Sequence, residues 1–209
     1  MTDYGRAVQF GAFVTPSVEL LANTFELAAL ADETGLDLIG VQDHPYQAKF
    51  LDCWSLMGML LARTERVRVF PDVACLPLRP PATMAKAAAS LGLMSGGRFE
   101  LALGAGAFWE AIGAMGGDVR TPGQADPSSI IRAYNVFGRV SDTPSDKMFH
   151  GTAEQRVSQL TELAVETGMD TFVFGTDGDD LAQVRTFATD VAPAVRAAVD
   201  ERRGTGARA

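Results

Sequence analysis

The sequence predicts an α/β fold whose parallel strands are joined by helical crossovers. Two observations predict it. Short apolar extended runs alternate with helical runs along the whole chain, and Gly35, Gly96, Gly168 and the Pro77–Pro81 stretch stand at the joins between them. No segment repeats at a solenoid period and no linker divides the chain, so a single domain is expected over residues 1–209. This alternation suits a doubly wound sheet and a barrel equally.

Val8–Val14 reads as the first strand. Pro16 and Ser17 suit the start of a helix, on which Val18, Leu21, Phe25 and Ala28 recur at helical spacing until Gly35 stops it. Asp37–Val41 is a short buried strand. Trp54–Ala62 is a helix apolar almost all round, as in a deep core or a subunit interface. Val67–Ala74 is a third strand, stopped by Pro77-Leu78-Arg79-Pro80-Pro81. Ala82–Met94 is helical, Gly96-Gly97 a turn, and Phe99–Leu103 a fourth strand that runs into Gly104-Ala105-Gly106.

Gly113, Gly116, Gly117, Pro122, Gly123 and Pro127 leave only a short helix near Phe108–Met115 before a loop. Ile130–Val140 contains a fifth strand and Ser141–His150 is a polar loop. Thr152 and Gln155 form a capping box, and Val157, Leu160 and Ala164 line the helix that Gly168 ends. Met169–Phe174 is the sixth strand. The last helix begins near Asp179 and Asp180, with Leu181, Val184, Phe187 and Val191 inward. Pro193 is expected to kink or restart it, and Arg202–Ala209 to fray.

Composition narrows the partners. A net charge of −8 without a basic stripe excludes a typical nucleic-acid binder. No apolar run reaches membrane-spanning length, and Met1-Thr2-Asp3-Tyr4 does not begin a secretory signal. Cys53 and Cys75 form no CxxC pair and read as reduced, buried thiols. A cytoplasmic protein is expected, with no membrane and no nucleic-acid partner. His44 and His150 are the only histidines and sit in no ligand-spaced cluster, so no metal is expected.

Four stretches choose between sheet and barrel. They are Val8-Gln9-Phe10-Gly11, Val41-Gln42-Asp43-His44, the run Gly97-Arg98-Phe99-Glu100-Leu101-Ala102-Leu103-Gly104-Ala105-Gly106, and Gly151-Thr152-Ala153-Glu154-Gln155. In this order they resemble the luciferase-like monooxygenase family, whose members use FMN or the deazaflavin coenzyme F-420. The resemblance covers residue 7 to about 124 and resumes from about 126 to 199. It implies a TIM-type (β/α) barrel. A complete one takes ~250 residues. Here about six parallel strands are expected instead of eight, with an internal deletion near 124–128, at Gln124-Ala125-Asp126-Pro127, that removes the fifth and sixth strands.

Barrel chemistry gathers where strands end. The family's motif there is an acidic residue followed by His, which Asp43 and His44 match. His44 is then the residue that moves a proton, with Asp43 orienting it; without the resemblance, both read as polar loop residues. Ala74 and Cys75, with Leu76 and Pro77, hold the place where the family bulges under its flavin ring, sometimes through a non-proline cis peptide; a plain strand end is the bland reading. Gly104, Ala105 and Gly106 permit close approach to a ligand and form no dinucleotide fingerprint. Phe108 and Trp109 cover ring or substrate, or are simply core, and Glu110 reads as a surface charge. Arg79 meets a phosphate, or is solvated, or caps a helix. The helix start at Thr152 suits an anion, and Gly175, beside Thr176, is a second candidate. Phe13, Cys75, Leu76 and Phe108 give an apolar lining.

The resemblance implies a flavin- or deazaflavin-dependent oxidoreductase acting on a small organic substrate. The alternatives are a non-catalytic flavin-binding protein or degenerate paralogue, and a chain whose shortening spoils its folding. The Met- and Leu-rich helices 54–62 and 82–94 predict a homodimer, or else burial within one chain.

Overall fold

The computed structural model describes residues 5–117, 131–176 and 180–206. The deletion expected near 124–128 lies outside them, as do Met1–Tyr4 and Asp179. The elements run β1 (Gln9–Val14), α1 (Leu21–Thr34), β2 (Leu38–Val41), α2 (Cys53–Arg63), β3 (Arg68–Pro71), β4 (Ala74–Cys75) and α3 (Pro81–Met94). There follow β5 (Leu103–Gly104), α4 (Trp109–Ala114), β6 (Ala133–Phe137), β7 (Arg139–Val140), β8 (His150–Gly151), α5 (Ala153–Thr167), β9 (Thr171–Gly175), α6 (Leu181–Thr186) and α7 (Ala192–Gly206).

Five strands form one parallel sheet in the order β3-β2-β1-β9-β6. The ladder continues past β3. Val69 N–H donates to the Arg98 carbonyl (2.8 Å), Glu100 N–H donates to the Val69 carbonyl (3.0 Å), and β4 pairs with β5. Residues 98–104 are therefore the strand beside β3 and β4. A doubly wound sheet would set its fourth strand beside the first. Here the last strand, β9, lies beside the first, as barrel closure requires. The fold is an incomplete barrel, open between residues 98–104 and β6.

Side chains alternate across this wall. Phe10, Ala12, Val14, Ile39, Val41, Val69, Phe172 and Phe174 face the helices and join the main core, together with Leu27, Leu56, Leu60, Leu160, Phe187 and Val195. Phe13, Leu38, Phe70 and Val173 face the barrel interior as a separate cluster. Both sides of the strands are thus covered, which is why β1 and β2 read as continuous apolar runs.

Local chemistry ends the helices as predicted. Gly35 (φ 76°) and Gly168 (φ 69°) take the left-handed C-cap positions of α1 and α5. Thr152 and Gln155 make the reciprocal capping box, and Asp52 caps α2 by accepting from Ser55 N–H at 2.8 Å.

Several details differ from expectation. The third strand is interrupted between Pro71 and Ala74, and the peptide bond between Asp72 and Val73, just upstream of the Ala74–Pro77 stretch where the bulge was expected, is cis. The fifth strand divides into β6 and β7 at Gly138, where a side chain would collide with the Phe149 carbonyl. The end of the expected polar loop forms β8 and pairs with β7. Val18 is 55% exposed because it sits in a 3-10 turn ahead of α1. Pro193 does not break its helix. A π-turn over Phe187–Val191 joins α6 to α7, which continues to Gly206, so Arg202–Gly206 is helical rather than frayed.

Of the two helices expected at a homodimer contact, α2 is buried on one side while α3 buries only Met84 and exposes Leu93 and Met94. No helix among the described residues is long and apolar enough to cross a membrane.

Candidate active site

Asp43 ends the second strand and is buried. Its Oδ2 accepts from Cys75 N–H (2.9 Å) and Arg79 Nε (2.8 Å), and its Oδ1 accepts from Arg79 Nη2 (2.6 Å). A bidentate pair with a further backbone donor satisfies a buried carboxylate well. Arg79 also donates to Asp52 (3.2 Å), and its guanidinium lies 5.3 Å from the Trp54 ring centroid. Burial acts to lower the Arg79 pKa, and the two carboxylates overcome it, leaving the guanidinium above its ordinary value. Arg79 is thus neither solvated nor turned toward a phosphate. It locks the ends of β2 and β4 together.

His44 follows. Its Nδ1 lies 3.3 Å from Gln42 Nε2, so Gln42 is the side chain that meets the imidazole while both Asp43 oxygens are engaged elsewhere. Burial lowers the His44 pKa against the opposing charge of Asp43. Burial thus favours the neutral imidazole, the form that can accept a proton. His44 stacks on Tyr46 (5.3 Å between centroids) and meets the edge of Phe108 (5.5 Å), and Tyr46 and Phe108 lie 5.7 Å apart. Burial pushes the Tyr46 hydroxyl up, aided by Cys75 and Asp43. This aromatic trio brings a residue from the start of α4 to the end of β2.

Ala74 and Cys75 lie beside Leu103 and Gly104 in the ladder, which brings together the two stretches expected to hold a ring. The glycines there make room for protein rather than for a ligand. A side chain at Gly104 would collide with Val73, and one at Gly106 (φ 91°) would meet Ile112 at 2.6 Å. The same holds at Gly175, where a Cβ would meet the Phe137 ring at 2.6 Å. Ala105 lies between the two glycines. Trp109 begins α4, 38% exposed and packed beside Gly106. Phe13 lies in the interior cluster, edge-on to Phe137 at 5.0 Å. Val73, Leu76, Leu103 and Phe108 are apolar side chains left exposed at 42%, 38%, 54% and 53% on the segments around the β4–β5 ladder.

Thr152 stands elsewhere, in a polar cleft of about 570 Å³ lined by Arg139, Ser141, Ala153 and Gln183 and by the acids Asp142, Glu154 and Asp190. Arg139 lies 3.7 Å from Asp180. Helix N-termini attract anions, but three carboxylates oppose one here. The residues present therefore fit the ring of a flavin better than its phosphate.

Residue-type reasoning overlooked Tyr46, although an aromatic just past the Asp43-His44 corner was the available signal. It also overlooked Asp72. Asp72 sits where a side chain at position 40 would stand, since a Cβ on Gly40 would meet Asp72 Oδ2 at 2.9 Å. That oxygen is buried without a hydrogen-bond partner. Burial pushes the carboxyl up to about 6, opposed by a hydrogen bond from the Asn135 side chain.

Residues 5–125 match the model of the family described as luciferase-like monooxygenase. An F420-dependent secondary alcohol dehydrogenase in complex with an F420-acetone adduct is similar in structure. It has a TM-score of 0.69 and 18% identity, over 91% of this chain and 99% of that one. Apo-MsnO8 is similar with a TM-score of 0.64 and 13% identity, over 93% of this chain and 98% of that one. At these identities the likeness is one of fold. The FMN-bound oxygenating constituent of 3,6-diketocamphane monooxygenase from the CAM plasmid of Pseudomonas putida matches at 24% identity with a TM-score of 0.47. That match covers 53% of this chain and 33% of the other.

Proposed function

The chain belongs to the luciferase-like monooxygenase family, and we propose on that premise that it is a flavin- or deazaflavin-dependent oxidoreductase acting on a small organic substrate. The observation that carries the reading is the end of the second strand, where the rings of His44, Tyr46 and Phe108 stand together. A bound FMN or F-420 supplies the electrons or hydride there. Ala74, Cys75 and the Ala105 backbone would hold the ring, with Gly104 and Gly106 letting Val73 and Ile112 pack closely behind them, and Leu76, Phe108 and Trp109 would exclude water from it. His44 Nε2 accepts or returns a proton. Asp43, through Arg79 and Cys75 N–H, fixes the strand ends on which these residues stand.

One observation favours the second reading, a flavin-binding protein without turnover or a degenerate paralogue. The cleft at the start of α5 carries Asp142, Glu154 and Asp190 where a phosphate grip would need cations.

Titration with FMN and with F-420, followed by absorbance and fluorescence, separates the two. Saturable binding with NAD(P)H- or substrate-dependent turnover is the expected result. Binding without turnover selects the second reading, and failure to bind either cofactor removes the first. His44→Ala is expected to lower turnover on the order of 10²-fold with little change in cofactor Kd. Unchanged turnover would take His44 out of the mechanism.

A further inference from the structure

His44 has two ring nitrogens, and its chemistry depends on which of them carries the hydrogen. The group beside Nδ1 decides this. A carboxylate there would accept from Nδ1–H, leave Nε2 bare and favour the charged ring. The carboxylate next in sequence is already spent. Asp43 Oδ1 accepts from Arg79 Nη2 at 2.6 Å, and Oδ2 accepts from Arg79 Nε at 2.8 Å and from Cys75 N–H at 2.9 Å. Gln42 stands beside the ring instead, with Nε2 3.3 Å from His44 Nδ1. An amide nitrogen has hydrogens and no acceptor capacity, so it can only donate. Nδ1 is then the acceptor, and the ring hydrogen lies on Nε2.

The backbone on both sides of the pair is fixed. Gln42 N–H donates to the Val14 carbonyl at 3.1 Å, and the His44 carbonyl accepts from Gln47 N–H at 3.0 Å. The ring stacks on Tyr46 and meets the edge of Phe108, so its remaining close neighbours are aromatic. A carboxamide also differs from a carboxylate in what it can do next. A half-turn about its last bond presents oxygen in place of nitrogen, and that oxygen accepts from Nδ1–H. One uncharged side chain thus serves both tautomers.

We propose that Gln42 is the positioning residue that sets the tautomer of His44, holding the hydrogen on Nε2 through its amide nitrogen and releasing Nε2 as a base when the carboxamide turns. His44 therefore first meets a ligand as a neutral hydrogen-bond donor. Its change to a base moves one proton from Nε2 to Nδ1 through solvent and leaves the ring uncharged. When Nε2 then takes up a proton, the Gln42 oxygen keeps its bond to Nδ1–H. The tautomer belongs to the protein without cofactor, and only its effect on turnover rests on the oxidoreductase reading. Burial lowers the imidazole pKa, and Asp43 opposes it by its charge alone. The other titratable groups nearby are Arg79, paired with Asp43, and the Tyr46 hydroxyl and Cys75 thiol, both pushed up by burial. Glu110, on α4 beyond Phe108, is exposed.

The test is ring-nitrogen NMR on the full chain without cofactor, labelled at histidine and titrated from pH 5 to pH 8. His150→Gln assigns the signals of the two histidines. His44 should be an Nε2–H imidazole at the upper end of the titration. Gln42→Glu, which can only accept, should move the hydrogen to Nδ1 and raise the pH at which His44 titrates by about 1. Asp43→Asn should leave the hydrogen on Nε2. Gln42→Met, which has no donor, should shift the Nδ1 signal to that of an unbonded nitrogen. In turnover assays with FMN or F-420, the acid limb of kcat/KM in Gln42→Glu should rise with the titration of His44. Absence of turnover counts against the oxidoreductase reading alone, and the NMR result still decides the tautomer. An Nδ1–H ring in the wild type overturns the assignment to Gln42. So does a Gln42→Glu variant with unchanged tautomer and titration, or an Nδ1 signal that Gln42→Met does not move.

Discussion

On the outer face of the ladder, Phe10, Phe172 and Phe174 are wholly buried, and Phe187 from the helical layer stacks on Phe174 at 4.4 Å. On the inner face of the same strands, Phe13, Leu38, Phe70 and Val173 form a small cluster beside an open cleft. An incomplete barrel does not support its two faces equally. Each helix still covers the strands it crosses, so the outer core keeps its neighbours. The interior draws its packing from across the barrel and loses those partners. Stability is therefore concentrated outside the wall, and cavities are concentrated inside it.

The largest effect that tests this difference is truncation of matched rings. Phe172→Ala is expected to cost about 3–5 kcal/mol by urea denaturation. Phe70→Ala, beside space that is already empty, is expected to cost about half as much. Equal losses would show that the interior is packed as tightly as the outer core.

A smaller effect follows from Asp72. Its folded-state carboxyl is raised from 3.8 to about 6, so the folded protein binds the proton more tightly than the unfolded chain. The stability that this proton brings is fully present below pH 3.8 and is lost as pH rises through about 6. Asp72→Asn should therefore stabilise the protein at pH 8 by about 2–3 kcal/mol and change little at pH 4. The same gain at both pH values would mean that ionisation is not its cause.

The smallest effect lies at the edge of the outer layer. Thr152→Ala removes the cap from α5 and should cost about 1 kcal/mol. Thr152→Ser should recover most of it, because the hydroxyl that accepts from Gln155 N–H is kept. A loss well above this would tie the capping box to the Ser145 loop, which Gln155 also holds through Ser145 N–H at 3.0 Å.

The sequence revealed the outer layer better than the inner one. Apolar periodicity reports what faces the helices, so α1, α2, α5 and the strands were legible within a few residues. The β7–β8 pairing was not, because its short parallel ladder depends on contacts across the fold and leaves no local pattern. At the site, the Asp43-His44 corner stood out only through the family resemblance, because by themselves the two read as polar loop residues. Asp72 did not, since its burial depends on Gly40 in a neighbouring strand. Arg79 was misjudged for a related reason: its partners Asp43 and Asp52 are remote in sequence, and only the fold brings all three together.

The central position of β1 bears on biosynthesis. It precedes the strands it pairs with, and its β2 edge is filled early, when Gly11 meets Leu38. Its other edge waits until β9 has been made and Thr171 can pair with Gln9. Through that interval the nascent sheet carries an open apolar strand at its middle, the kind of edge that invites mispairing and chaperone capture. The contact that completes the wall is also the strand pairing most distant in sequence among the described residues, so closing it is a late and slow event in folding.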